Sequence, residues 1–94
     1  YSLGMNKEQF LQLLAREGFP DPVEVHQIPN GSLGLHAHPF EVKALVIKGS
    51  IQILLNGQST DYQTGEMFSL DFEQAHEESY GPDGVTYLAS RRSV

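Results

Sequence analysis

Apolar positions recur along this chain at two different periods. Near the N-terminus Phe10, Leu13 and Leu14 share one face of a 3.6-residue repeat. Asn6 is placed to cap that segment, Gln9 three residues on completes a capping box, and Met5 can staple against Phe10. Gly18 supplies a left-handed stop ahead of Pro20. The spacing predicts one short amphipathic helix over residues 6–17, packed on the outside of something else.

From residue 23 onward the texture changes to short runs rich in Val, Ile, Leu, Phe and Tyr, divided by turn chemistry. Asn30-Gly31, Asn56-Gly57 and Pro82-Asp83-Gly84 each predict a reversal. Strands are expected at 23–28, 32–36, 42–48, 50–55, 59–63, 67–71, 76–80 and 85–90. Short strands at that spacing, with no helical patterning between them, predict an all-β antiparallel sandwich or barrel over residues 23–90. No internal repeat, low-complexity stretch or linker divides the chain, so one domain is expected over 1–94. Met5 reads as a natural start, which leaves residues 1–4 as a remnant or as the continuation of something longer.

Composition narrows the classes of function. A chain of 94 residues buries only roughly 60–65% of the surface its unfolded form exposes, so its core is thin. With no cysteine, disulfides cannot support that core, which leaves a bound metal or a partner subunit. The absence of cysteine fits a cytosolic protein. Six Lys and Arg stand against twelve Asp and Glu, a formal net charge of −6, which would repel a phosphate backbone and argues against nucleic acid. The Arg91–Arg92 pair is too small to reverse this and reads as a solvated end. No apolar run is long enough to span a bilayer, and no secretory leader pattern is present. The expected location is the cytoplasm, with no membrane partner.

Three of the four histidines are candidates for chemistry. His36 and His38 are two apart, so in an extended strand both imidazoles point to the same face. Two such rings can converge on one ion; they can equally be two half-exposed histidines beside a proline turn. The surrounding frame favours the ion. The segment Gly31-Ser-Leu-Gly-Leu-His36-Ala-His38-Pro-Phe-Glu41, continuing to Gly49, resembles the first signature motif of the cupin superfamily. That motif is a glycine, a histidine-x-histidine pair, a glutamate and a further glycine. Gly65 to His76 keeps the spacing of the second cupin motif, and the stretch between the motifs is as short as in compact microbial cupins.

The resemblance covers about half of the chain and implies a small antiparallel double-stranded β-helix, or jelly roll, carrying the short N-terminal helix. It implies His36, His38 and His76 as ligands to a divalent transition metal, with Zn²⁺, Fe²⁺, Ni²⁺ or Cu²⁺ suited to three imidazoles. The sequence departs from the family in several places. Gly31 sits one residue closer to the histidine pair than usual. Counting back seven from Gly49 reaches Val42, so the family's glutamate ligand is missing at its place. Glu41 is the nearest carboxylate, but its parity is opposite to that of the histidines, and only a bulge at Pro39–Phe40 would turn it inward. Asp71 and Glu73 replace the second motif's proline and glycine, and Tyr80 stands where an asparagine is common.

Tyr80, four residues from His76, shares its face in a regular strand, either placing a hydroxyl beside the site or filling the core. Tyr80 and Glu41 are therefore the acid–base candidates. His26 lies outside both motifs and reads as a surface or rim residue. Phe40, Val42, Val46, Phe68, Phe72 and Tyr87 read as core or pocket wall, and Glu77 and Glu78 as scattered acids. Two functions follow. One is a small metal-dependent enzyme of the oxygenase, isomerase or decarboxylase type, acting on a small molecule in the barrel. The other is a non-enzymatic ligand-binding or sensor barrel without metal. Compact cupins of this kind commonly pair through their sheets, which implies a homodimer.

Overall fold

The structure, a computed structural model, describes residues 4–93; the expectation for residues 1–3 lies outside them. Helix α1 (Lys7–Glu17) begins at Asn6, whose side chain accepts from the Gln9 backbone N–H while the Gln9 side chain accepts from the Asn6 N–H, and Gly18 closes it in the left-handed conformation. The six strands are β1 (Val23–Gln27), β2 (Ser32–His36), β3 (Glu41–Leu55), β4 (Gln58–Gln63), β5 (Met67–Leu70) and β6 (His76–Arg92), all antiparallel where they pair.

The architecture rests on two long strands. β3 and β6 pair with each other along most of their length, and each bends midway. On one side of the bend, β1 adds to the C-terminal half of β6 and β5 to the N-terminal half of β3. On the other, β2 adds to the N-terminal half of β6 and β4 to the C-terminal half of β3. The two sheets thus share their central strands and fold over one core, a double-stranded β-helix.

Two expectations change here. The third and fourth expected strands are one strand, and so are the seventh and eighth. Pro82-Asp83-Gly84 is not a reversal: between the pairs Gly49↔Val85 and Ile51↔Tyr80, the four residues 81–84 of β6 lie opposite Ser50 alone, an enlarged bulge that turns the corner of the barrel. Asn56-Gly57 closes the β3–β4 hairpin as expected, with both residues at positive φ. Asn30-Gly31 does turn the chain, but it carries it from one sheet to the other, because β1 and β2 both pair with β6.

The bends also switch which side chains face inward. In β3 the buried inner positions are Val42, Ala44 and Val46 before the bend and Ile51 and Ile53 after it. Phe68, Leu70, Tyr80, Val85 and Ala89 complete that core. A second cluster lies on the outer face of the first sheet, where Phe10, Leu14 and Phe19 cover Leu45 and Leu88, with Met5 packed against them. That sheet is therefore apolar on both faces, which explains the unbroken buried run Ala44-Leu45-Val46. Phe72, expected in the core or pocket wall, is instead 49% exposed. Arg92 is no solvated end: it pairs with Glu41, donates to the Glu17 carbonyl at the end of α1 and lies 4.1 Å from the Phe19 ring centroid. Among the described residues, no helix is long and apolar enough to cross a membrane.

Candidate metal centre

His36 ends β2 and His76 begins β6, and the antiparallel register sets them directly opposite each other, with ring centroids 4.2 Å apart. His38 follows in the loop before β3, its ring 4.9 Å from that of His36 and 5.6 Å from that of His76. The loop is tied in place where the Glu73 N–H donates to the His38 carbonyl at 2.8 Å. Alternation along β6 puts His76, Glu78 and Tyr80 on one face, and Glu78 completes the cluster. Donor atoms of His36, His38, His76 and Glu78 all lie within 4.8 Å of one another, a group that can hold a metal ion.

The hydrogen bonds determine what the rings can do. His36 Nδ1 lies 2.6 Å from the Gly34 carbonyl oxygen, and His76 Nδ1 lies 3.0 Å from that of Gln74. A carbonyl oxygen only accepts, so in each neutral ring Nδ1 carries the proton and Nε2 presents a bare lone pair. Both Nε2 atoms then face the same carboxylate oxygen: Glu78 Oε2 is 3.0 Å from His76 and 3.2 Å from His36. The His36 contact lacks hydrogen-bond geometry, which leaves its Nε2 buried without a partner.

Three lone-pair-bearing atoms aimed at one point in a largely dry site repel one another unless a cation sits among them. A proton shared by one ring satisfies only one pair. A divalent ion satisfies all of them, and the backbone bonds at Nδ1 are the outer-shell contacts that orient ligating histidines. The donor set therefore fits a metal. His38 is held by stacking on Phe40, with centroids 5.1 Å apart and planes 12° from parallel. Burial first, then the neighbouring His36 and His76, lower its pKa below the ordinary histidine value, keeping its lone pair available to lower pH. Metal binding requires that neutral form.

The acid–base candidates are placed differently from each other. Glu41 Oε1 accepts from Arg92 Nε at 3.0 Å and Nη2 at 2.8 Å; the bulge needed to turn it inward does not form, and it is not among the clustered donors. Tyr80 is buried and donates its hydroxyl to Glu78 Oε1 at 3.1 Å. Burial and the adjacent carboxylate raise its pKa, so it stays protonated and steadies Glu78. Val42 is buried in the core, and the carboxylate among the clustered donors is that of Glu78. The signal for Glu78 was its spacing: two residues after His76 is the same relation that joins His36 to His38. His26 is on the surface beside Glu24 and Thr86.

No family model matches the sequence, and no curated protein matches it. Solved structures match the fold. The cupin domain of Schizosaccharomyces pombe Cnp3 superposes with a TM-score of 0.70 at 9% identity, over 81% of this chain and 64% of that one. An RmlC-like cupin from Shewanella frigidimarina superposes with a TM-score of 0.67 at 16% identity, over 78% and 65%. The chain has the cupin fold. A third similar structure, from work on the DMSP lyases RdDddP and RnDddQII, has a TM-score of 0.69 at 19% identity, over 76% of this chain and 37% of its own. The chain spans just under two thirds of the length of the first two neighbours.

Proposed function

We propose that this cupin holds one divalent transition metal through His36, His38, His76 and Glu78 and presents it to a small molecule entering the barrel, as a metal-dependent enzyme. The observation that carries the reading is the convergence of the His36 and His76 lone pairs on Glu78, with His36 Nε2 buried and unpartnered. Three imidazoles and one carboxylate suit Zn²⁺, Fe²⁺ and Ni²⁺, and the added negative charge makes Mn²⁺ a better candidate than histidines alone would. Such an ion supplies Lewis-acid polarisation or, if redox-active, oxygen chemistry, the class of lyase, isomerase and oxygenase reactions. The chain's own residues orient the rings through Gly34 and Gln74, fix Glu78 through Tyr80 and keep the His38 ring against Phe40. A fold-level neighbour among the lyases agrees with an enzyme.

Elemental analysis of protein purified without a nickel column tests this. We expect close to one transition metal per chain in the wild type and none in a His36→Ala/His38→Ala double variant. Metal-free wild type that also fails to take up Zn²⁺, Fe²⁺, Ni²⁺ or Mn²⁺ at micromolar concentration would sink the proposal and leave a metal-free ligand-binding or sensor barrel.

The oligomeric state belongs to the same reading. β2 is an edge strand that pairs only with β6, and it exposes Leu33 (46%) and Leu35 (71%). Covering that edge with a second copy removes unpaired backbone groups and apolar surface from water. We expect a homodimer, with a light-scattering mass near twice the 10.4 kDa of the chain; a monomer mass at high micromolar concentration would overturn it.

A further inference from the structure

We propose that Arg91 and Tyr87 form the anion-binding end of the barrel pocket and select a small organic acid, with its carboxylate at Arg91 and its other end towards the histidine–glutamate cluster. The inference deepens the proposed function and rests on it for the direction of the ligand, but not for the recognition of its charge.

The pocket that opens beside the cluster is lined by His38 and Glu78 at one side, by Phe40, Phe68 and Leu70 along its wall, and by Tyr87 and Arg91. It is small, about 40 Å³. Since one water needs roughly 10–15 Å³ on this measure, it admits a few heavy atoms and no whole sugar ring. A mostly apolar lining with a few convergent polar groups is the usual form of a small-ligand site.

Arg91 is the unexpected member. The bulge at residues 81–84 shifts the parity of β6, so that Tyr87, Ala89 and Arg91 line the barrel in its second half, as His76, Glu78 and Tyr80 do in its first. Arg91 faces Val42 across the ladder, and its guanidinium lies 5.5 Å from the centroid of Phe40, the ring on which His38 stacks. One aromatic ring thus touches both a candidate metal ligand and the arginine.

Charge pairing separates Arg91 from its neighbours. Arg92 is satisfied by Glu41 and Lys43 by Glu17, but among the described residues the solvent-exposed Arg91 has no carboxylate partner. This is a chain with twice as many acids as bases. An arginine at a pocket, held by a ring and left without an acid, is arranged for an incoming carboxylate, which its planar fork matches with two parallel hydrogen bonds. Tyr87 lines the same pocket, its ring centroid 5.5 Å from that of Phe68, and its hydroxyl can serve as a further donor.

The test compares acids with their uncharged amides. Acetate, L-lactate and pyruvate are titrated against acetamide, lactamide and pyruvamide by ligand-observed NMR, using wild type, Arg91→Gln and Arg91→Lys at matched metal content. We expect at least one acid to bind wild type about tenfold or more tightly than its amide, Arg91→Gln to abolish that preference, and Arg91→Lys to restore part of it. Metal content should be unchanged in Arg91→Gln. No acid-over-amide preference in the wild type, or a preference that survives Arg91→Gln, overturns the inference. Metal analysis of the same samples separates the two proposals: an Arg91-dependent preference in a wild type shown to take up no metal would uphold this inference while the metal proposal fails.

Discussion

Glu78→Gln is expected to weaken metal binding and at the same time to stabilise the metal-free protein. In the absence of an ion, Glu78 Oε2 faces the lone pairs of His36 and His76 at 3.2 and 3.0 Å in a site where the Glu78 side chain is only 9% exposed. Glutamine has the same shape, carries no charge and brings an N–H donor that can point at His76 Nε2, which turns a repulsive contact into a hydrogen bond. The gain should be on the order of 1 kcal/mol, or roughly 4–8 °C in Tm for a domain of this size. His76→Ala should also weaken metal binding but fall in stability by about 2–4 kcal/mol, because a side chain with 0% exposure is removed and a cavity is left in its place. Thermal melts with and without chelator, together with metal analysis, read both effects. A Glu78→Gln protein that holds its metal as tightly as wild type, or that melts lower than wild type when both are metal-free, would remove Glu78 from the ligand set.

That asymmetry also shows why Glu78 escaped the sequence. The helix was legible from its punctuation, since Asn6, Gln9 and Gly18 act locally and need no tertiary context. The barrel was legible from the run of short apolar segments, and the three histidines from parity within single strands. Glu78 obeys the same parity rule, but a carboxylate was expected near the first histidine pair, where Val42 and Glu41 stand, and Glu78 looked like one of two adjacent surface acids. What brings it in is the pairing of β2 with β6, a long-range register that no local pattern encodes. Arg91 was missed for a different reason. The last strand was expected over 85–90, so the Arg91–Arg92 pair fell beyond it and read as a solvated end; β6 runs on to Arg92, and beyond the bulge between Tyr80 and Val85 Arg91 shares the face of Tyr87. Pro82-Asp83-Gly84 announced an irregularity but not its kind: the same tripeptide serves a hairpin turn or a bulge, and the difference lies in whether Val85 meets a new neighbour or returns to β3.

Gly49→Ala is expected to prevent folding, and it tests the bend on which both sites depend. Gly49 sits where β3 turns from one sheet to the other, at φ 76°. A Cβ there would run into the carbonyl oxygen of Gly84, and would lie 2.9 Å from the carbonyl carbon of Gly84 and 3.1 Å from Val85 Cα. All three are backbone atoms of β6 at the edge of the bulge, so no side-chain rotation relieves the clash, and the two long strands must separate where they change sheets. Left-handed strain alone costs roughly 1–2 kcal/mol. With backbone displacement added, the cost reaches about 4 kcal/mol or more, most of the stability expected of a small domain. Gly57 provides the control: it has nearly the same φ, 77°, but nothing lies within 4 Å of the Cβ position. Gly57→Ala should therefore cost only the conformational strain and leave a folded protein with a lower Tm. Circular dichroism melts of the two variants side by side decide the matter. If Gly49→Ala melts within a few degrees of Gly57→Ala, the close approach of β3 and β6 at this corner is wrong. The parity reversal that brings Tyr87 and Arg91 into the barrel would then lose its structural basis.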